Sequence, residues 1–231
     1  MGERGQLPLQ FPFNDQQLLE NFQPGVNAEV LARLDRALVA PGFSGLWLWG
    51  EAGAGVTHLL NGACHRCGLA GARAAYLPLA QLPAQADMLE GLDSCDLVAL
   101  DDVEVWLGHR SLEAALLDLY QGMLAHGGTL VCGASKPARG CDFALPDWRS
   151  RCLALLGYQV QTLDDVGKAR LLQAHAAQRG LHISEQVLKF WLARSERSVP
   201  GLLAELELLD AAALSAQRAI TVPLVKAVLH L

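Results

Sequence analysis

The chain has no long apolar run: nowhere in its 231 residues is there anything close to the roughly 18 consecutive apolar residues of a membrane-spanning helix. It begins without the apolar leader of an exported protein, so the cytoplasm is the expected compartment. A basic surplus is also missing. Eighteen Lys and Arg against 24 Asp and Glu leave a net charge of −6, which argues against broad binding to a phosphate backbone and against direct, specific DNA recognition. The six cysteines are scattered rather than packed into a short secreted framework, and they are read as reduced thiols. Cys64-His65-Arg66-Cys67 has no second C-x-x-C at a suitable spacing, and a structural zinc site needs four ligands, so no metal is expected there. Internal repeats and low-complexity segments are absent.

One further absence carries chemistry. Gly50 to Thr57 read Gly-Glu-Ala-Gly-Ala-Gly-Val-Thr, the frame of a phosphate-binding P-loop with Val56 in place of the lysine. In G-x-x-x-x-G-K-[ST], backbone N–H groups freed by glycine curl around the phosphates, the lysine neutralises the outer ones and the hydroxyl meets magnesium. Gly50, Gly53, Ala54, Gly55, Thr57 and His58 keep the frame and the hydroxyl without the cation. An apolar run before the loop and a helical pattern after it supply the strand, turn and helix the motif requires. An anion would find oriented amides and a helix N-terminus, while hydrolysis would lack an electrostatic contribution. The expectation is a nucleotide-binding switch and not a turnover enzyme; the competing reading is an ordinary Gly-rich turn.

What is present supports a large core. With 52% hydrophobic residues, the chain can hold an α/β domain and a small helical one. Strands are expected at 46–49, 74–78, 97–100, 129–132 and 158–162, alternating with helices at 28–39, 57–67, 112–126 and 148–153, a pattern that favours a parallel sheet. Beyond residue 162 the pattern is helical, at 165–179, 184–194, 199–216 and 222–231, with Ser184 as an N-cap and Gly180 as a stop. The expected organisation is an N-terminal arm at 1–13, an α/β nucleotide-binding domain at 14–162 and a helical lid at 163–231.

Three further elements bear on function. The strand-like Leu97-Val98-Ala99-Leu100 ends in Asp101 and Asp102, where a Walker B motif places a magnesium-holding carboxylate; Asp101 would reach the metal through water and Asp102 could polarise an attacking water. Paired aspartates at a strand end are also common loop residues. Leu145 to Arg151 puts two guanidinium groups on a short helix, and Arg151 is the candidate for an arginine supplied to a neighbour's γ-phosphate, against a solvated arginine paired with Asp147. Near the start, Gln6-Leu7-Pro8-Leu9-Gln10-Phe11 combines an amide with apolar anchors. Burying Leu9 and Phe11 in a partner would contribute roughly 1.5–3 kcal/mol each, less the ordering entropy; an arm packed on its own domain is the alternative.

From Gln6 to Leu231 these residues resemble the Hda family, DnaA-related AAA+ factors of regulatory inactivation of the bacterial replication initiator. Residues 6–11 resemble the family's sliding-clamp-binding motif, which implies that Gln6, Leu7, Leu9 and Phe11 are contacts to the DNA polymerase III clamp. Residues 22–27 resemble the segment lining the adenine site, which implicates Phe22 and Asn27. Residues 49–60 match the P-loop, including its relaxed lysine position, and Arg151 falls on the arginine finger. Residues 216–223 resemble the end of the lid, and with Leu231 soon after it the resemblance implies a protein without DnaA's DNA-binding C-terminal domain.

The resemblance implies an AAA+ α/β core with a parallel sheet and an all-helical lid. It further implies an ADP-binding adapter that docks on the clamp and presents Arg151 to ATP held by DnaA, limiting initiation. Two other functions compete: a DnaA-like recruitment adapter at the origin or replisome, and an autonomous AAA+ ATPase. Pro200 aligns with the lid's nucleotide-sensing arginine, and Arg197 lies one turn away at best. With Val56, this makes ADP binding weak or absent and leaves magnesium and homo-oligomerisation open.

Overall fold

The computed structural model describes residues 17–195, 198–216 and 218–231. The candidate clamp contacts Gln6, Leu7, Leu9 and Phe11, and also Arg197, lie outside the described residues. The chain divides into two compact units, one ending at Gln161 and one spanning Thr162–Leu231.

In the first unit, helix α1 (Ala28–Val39) precedes strand β1 (Ser44–Trp49), helix α2 (Val56–Leu69) and strands β2 (Ala74–Pro78) and β3 (Leu97–Asp101). Helix α3 (Arg110–His126), strand β4 (Thr129–Ala134), helix α4 (Pro146–Ala154) and strand β5 (Leu156–Gln159) complete it. Every strand pairing is parallel, in the order β2-β3-β4-β1-β5. Parallel strands need crossovers, and helices on both faces bury the sheet, so the central strands read as nearly unbroken apolar runs.

Alternation along the strands divides the core. Leu46 and Leu48 of β1, Leu97 and Ala99 of β3 and Val131 of β4 pack with Leu34 of α1 and Leu59 and Leu60 of α2. Trp47, Val98, Leu100, Leu130 and Cys132 face the other way, toward Leu116, Leu119 and Tyr120 of α3 and Trp148 of α4. The tryptophan-rich β1 therefore belongs to the core: Trp47 is 1% exposed, and its indole N–H donates to the Lys136 carbonyl at 3.0 Å.

The last strand differs from its expected position, starting at Leu156 and ending at Gln159 rather than spanning 158–162. Val160 still donates to the Trp49 carbonyl at 2.7 Å, and the next amide, that of Gln161, is bound by the Asn27 side chain. Strands β1, β3 and β4 each run one or two residues beyond the expected bounds, because their flanking residues are buried or paired in register.

The second unit holds α5 (Asp165–Gln178), α6 (Glu185–Leu192), α7 (Val199–Ala216) and α8 (Val222–Leu229). Its own core centres on Leu172, Trp191, Leu206, Leu209 and Val225. Asp164 and Ser184 cap the first two helices by accepting the Gly167 and Val187 amides. Gly180, in the left-handed region at φ +72°, follows α5. Pro200 occupies the first turn of α7, where a missing N–H costs nothing because that amide has no helical partner.

Leu60 is fully buried between α2 and the sheet. Leu60→Ala should lower stability by about 2–5 kcal/mol, seen as an earlier urea midpoint by circular dichroism. A change below about 1 kcal/mol would mean that this layer of the core is not packed as described.

Candidate functional site

The sheet order brings the sequence candidates together. β1 and β3 carry the P-loop and the acidic pair at their C-terminal ends, and β4 lies between them. Residue 133 of β4 therefore faces the gap between the two motifs. A Cβ built on Gly133 would stand 2.8 Å from Asp101 Oδ1, 2.9 Å from Val56 Cγ1 and 3.0 Å from Leu60 Cδ2. Only glycine leaves Val56 and Asp101 room to approach each other.

The loop keeps the shape of a phosphate cradle. Gly53 and Gly55 take left-handed φ values of +80° and +103°, Gly55 sits at the N-terminus of α2, and the Ala54 amide donates to the Glu51 carbonyl at 2.9 Å. At Gly50 a Cβ would lie 2.4 Å from the Val160 carbonyl oxygen. Thr57 is exposed at the start of α2, so its hydroxyl remains accessible. Val56 is different: its side chain packs with the apolar layer of α1 and α2. An isopropyl group thus occupies the place from which a lysine would neutralise phosphate.

The segment before α1 lies against this loop. The edge of the Phe22 ring is 2.9 Å from the point where a Gly55 Cβ would be, and the ring meets His58 edge to face with centroids 5.4 Å apart. His58 Nε2–H donates to the Leu18 carbonyl at 2.7 Å. Burial lowers the His58 pKa, and the Leu18 bond opposes that shift more weakly. Asn27, 1% exposed, donates from Nδ2 to the Gln161 carbonyl and accepts the Gln161 amide at Oδ1, both at 2.8 Å. Its amide is thus spent joining the pre-α1 segment to the chain after β5.

Asp101 is 3% exposed; Oδ2 accepts the Tyr76 hydroxyl at 2.9 Å and Oδ1 the Asp102 amide at 3.2 Å. The same contact, with burial as the larger cause, pushes the Tyr76 hydroxyl pKa up. Asp102 adopts a left-handed φ of +53°, and its carboxyl is raised above the usual range by burial first and then by Asp101 and Glu104. A strained non-glycine residue at a strand end is a common mark of a functional position. Among the described residues no group of three or more His, Cys, Asp or Glu side chains is arranged to hold a metal ion.

Arg151 is exposed on α4, away from the P-loop in the chain and on the helix that covers the opposite face of the sheet. Its guanidinium lies over the Tyr120 ring, 5.8 Å from the centroid. Beside α4 a cleft of about 330 Å³ opens, lined by Trp49, Arg139, Cys152, Leu153 and Gln159 among others; the P-loop glycines take no part in it.

Sequence reasoning missed four residues: Gly133, Tyr76, Gln161 as the partner of Asn27, and Glu113. The last is a fully buried carboxylate that binds three backbone amides. No spacing rule marks them, since each acts on residues distant in the chain. A buried polar residue declares itself only through its partners.

The His58 environment predicts a pH effect. Folding favours the neutral imidazole, so the unfolded chain takes up a proton first as pH falls below the ordinary value of about 6.5. This contribution to stability is present above that pH and lost below it. Urea unfolding between pH 7.5 and 5.5 should show a steeper loss for the parent protein than for His58→Gln, and parallel curves would refute the assignment.

Comparison with known proteins bears on the lid and on the fold. The family described as the Hda lid domain matches residues 165–229. Domain III of the Thermotoga maritima replication initiation protein DnaA superposes with a TM-score of 0.77 at 17% identity, covering 95% of this chain and 98% of that one. AMPPCP-bound DnaA from Aquifex aeolicus gives 0.76 at 20% identity, over 89% of this chain and 69% of that one. The Thermotoga maritima RuvB Holliday junction branch migration motor gives 0.67 at 15% identity, over 90% and 69%. At these identities the likeness speaks for the fold, an AAA+ α/β core with a helical lid. The chain thus carries a segment matching the Hda lid domain behind an α/β unit with the fold shared with DnaA.

Proposed function

We propose that the protein is a regulatory adapter that stimulates ATP hydrolysis by DnaA in trans while docked on the DNA polymerase sliding clamp, and so restrains replication initiation. The observation that carries this reading is the separation of charge within the α/β unit. Its own phosphate cradle has Val56 in place of a cation, whereas an arginine stands exposed on α4 over an aromatic ring. An arginine delivered to a partner's γ-phosphate stabilises the charge that develops as the phosphoryl group leaves, an effect of about 10³ to 10⁵ in rate where it has been dissected.

The residues fit a nucleoside diphosphate in part. The positive-φ glycines and the N-terminus of α2 suit phosphate oxygens, and Thr57 with Asp101 are the groups that would hold magnesium. Bound ADP would supply charge and rigidity and no chemistry of its own. Without a lysine, and with Pro200 at the start of α7, the chain holds ADP weakly or not at all and does not turn ATP over. Phe22 and His58 line the approach to Gly55, while the Asn27 amide is already engaged with Gln161. Clamp docking rests on the likeness of residues 6–11 to the clamp motif.

With DnaA, ATP and DNA-loaded clamp, Arg151→Ala should return hydrolysis to the unstimulated rate while clamp binding is retained. A Leu9→Ala, Phe11→Ala variant should lose clamp binding with its fold intact by circular dichroism. Full stimulation by Arg151→Ala would refute the trans-acting arginine, and undiminished clamp binding by the double variant would refute the docking arm.

A further inference from the structure

We propose that Glu113 and Tyr120 are positioning residues for Arg151, two points of one mount on α3 that set where the guanidinium projects; this rests on the trans-acting reading above. The two side chains are seven residues apart and therefore share one face of the helix, two turns from each other. Each holds a different part of α4.

Glu113 is 0% exposed, yet its carboxylate is bound on both oxygens. Oε1 accepts the Gly108 amide at 2.7 Å and the Ala144 amide at 2.8 Å, and Oε2 accepts the Leu145 amide at 2.7 Å. Leu145 is the N-cap of α4 and is followed by Pro146. A carboxylate at the start of a helix meets the positive end of its dipole, and its bonds to backbone amides are short and charge-assisted. Glu113 therefore fixes the origin of α4 and also joins it to the turn before α3. In a buried site with three amides aimed at it, no uncharged side chain satisfies the same set.

Tyr120 acts further along. Its ring meets Trp148 of α4 edge to face at 6.2 Å and Phe43 at 5.1 Å, and Arg151 lies over its face. Trp148 is itself fully buried, so the ring is held from behind. With the origin of α4 pinned and its first turn braced at Trp148, the long Arg151 side chain has a stacking platform and less rotamer freedom to lose when it meets a triphosphate. A misplacement of about 1 Å in a catalytic group can cost on the order of 10²-fold in rate, which is why such a mount matters.

The test uses the full chain with DnaA, ATP and DNA-loaded clamp, measuring the maximal stimulated rate and the protein concentration that gives half of it. Glu113→Gln replaces one acceptor oxygen by a donor that faces an amide. Tyr120→Leu keeps an apolar side chain but removes the platform, and Tyr120→Phe keeps the ring. Glu113→Gln and Tyr120→Leu should each lower the maximal rate by about 10-fold or more, with the half-saturating concentration within about twofold of the parent, while Tyr120→Phe behaves as the parent. If Glu113→Gln does not fold, the two Tyr120 variants decide. Full maximal stimulation by Glu113→Gln or Tyr120→Leu, in folded protein, overturns the mount. So does a loss confined to the half-saturating concentration. Arg151→Ala run in parallel separates the two ideas: if it loses stimulation while the mount variants keep it, the mount alone fails; if it too keeps full stimulation, the trans-acting reading fails and takes the mount with it.

Discussion

Across the glycine at position 133, an apolar side chain and a buried carboxylate face each other, and the apolar one stands where a phosphate-binding loop carries the lysine that reaches the outer phosphates. The strand order makes this juxtaposition unavoidable, because β4 lies between the strands that end in the P-loop and in Asp101. Any side chain at 133 would collide with both. Within that geometry Val56 decides the character of the site. It completes the apolar layer beneath α2 and leaves the Asp101 carboxylate to a tyrosine hydroxyl and a backbone amide. The cradle retains its form, since form comes from glycine torsions and a helix terminus, and it carries an isopropyl group at the position where a P-loop has its lysine.

Away from the cradle, the unit invests in rigidity on its other face. α3 offers α4 a carboxylate at its start and an aromatic ring along its length, and α4 in turn shows solvent an arginine. A guanidinium on a loosely held helix would lose side-chain and backbone freedom upon engagement; one on a braced helix loses less. The two faces of the sheet thus have distinct characters, one with a phosphate-shaped loop short of positive charge and the other with an exposed positive charge on a fixed support.

Much of the architecture was legible in the residues themselves. Apolar runs at 46–49, 74–78, 97–100 and 129–132 are long enough and isolated enough by turn residues to be strands, and each is one. The fifth strand starts at Leu156, two residues before the expected position, since this edge strand is mostly exposed and no buried apolar run marks its start. Alternation puts Trp47 and Trp49 on the α3 and α4 side of the sheet, the first buried in that core and the second packed partly buried against it. The spacing of the Gly-rich loop and of the acidic pair could be read along the chain, whereas Gly133, which lies against both Val56 and Asp101, was one glycine among 22. Glu113 had the look of an ordinary acid in a helix's first turn.

What the residues determined unaided is local: torsional freedom at Gly53 and Gly55, the missing charge at Val56, the caps at Asp164 and Ser184, and the period of each apolar pattern. These depend on neighbours within a few positions, and short-range sterics and hydrogen bonding settle them. Tertiary structure decided which distant groups meet. It put Val56 beside Asp101, tied Asn27 to Gln161 and turned Glu113 into the anchor of α4. Such pairings follow from strand order and from the need to satisfy every buried polar atom, and both are properties of the closed core that no window along the chain contains.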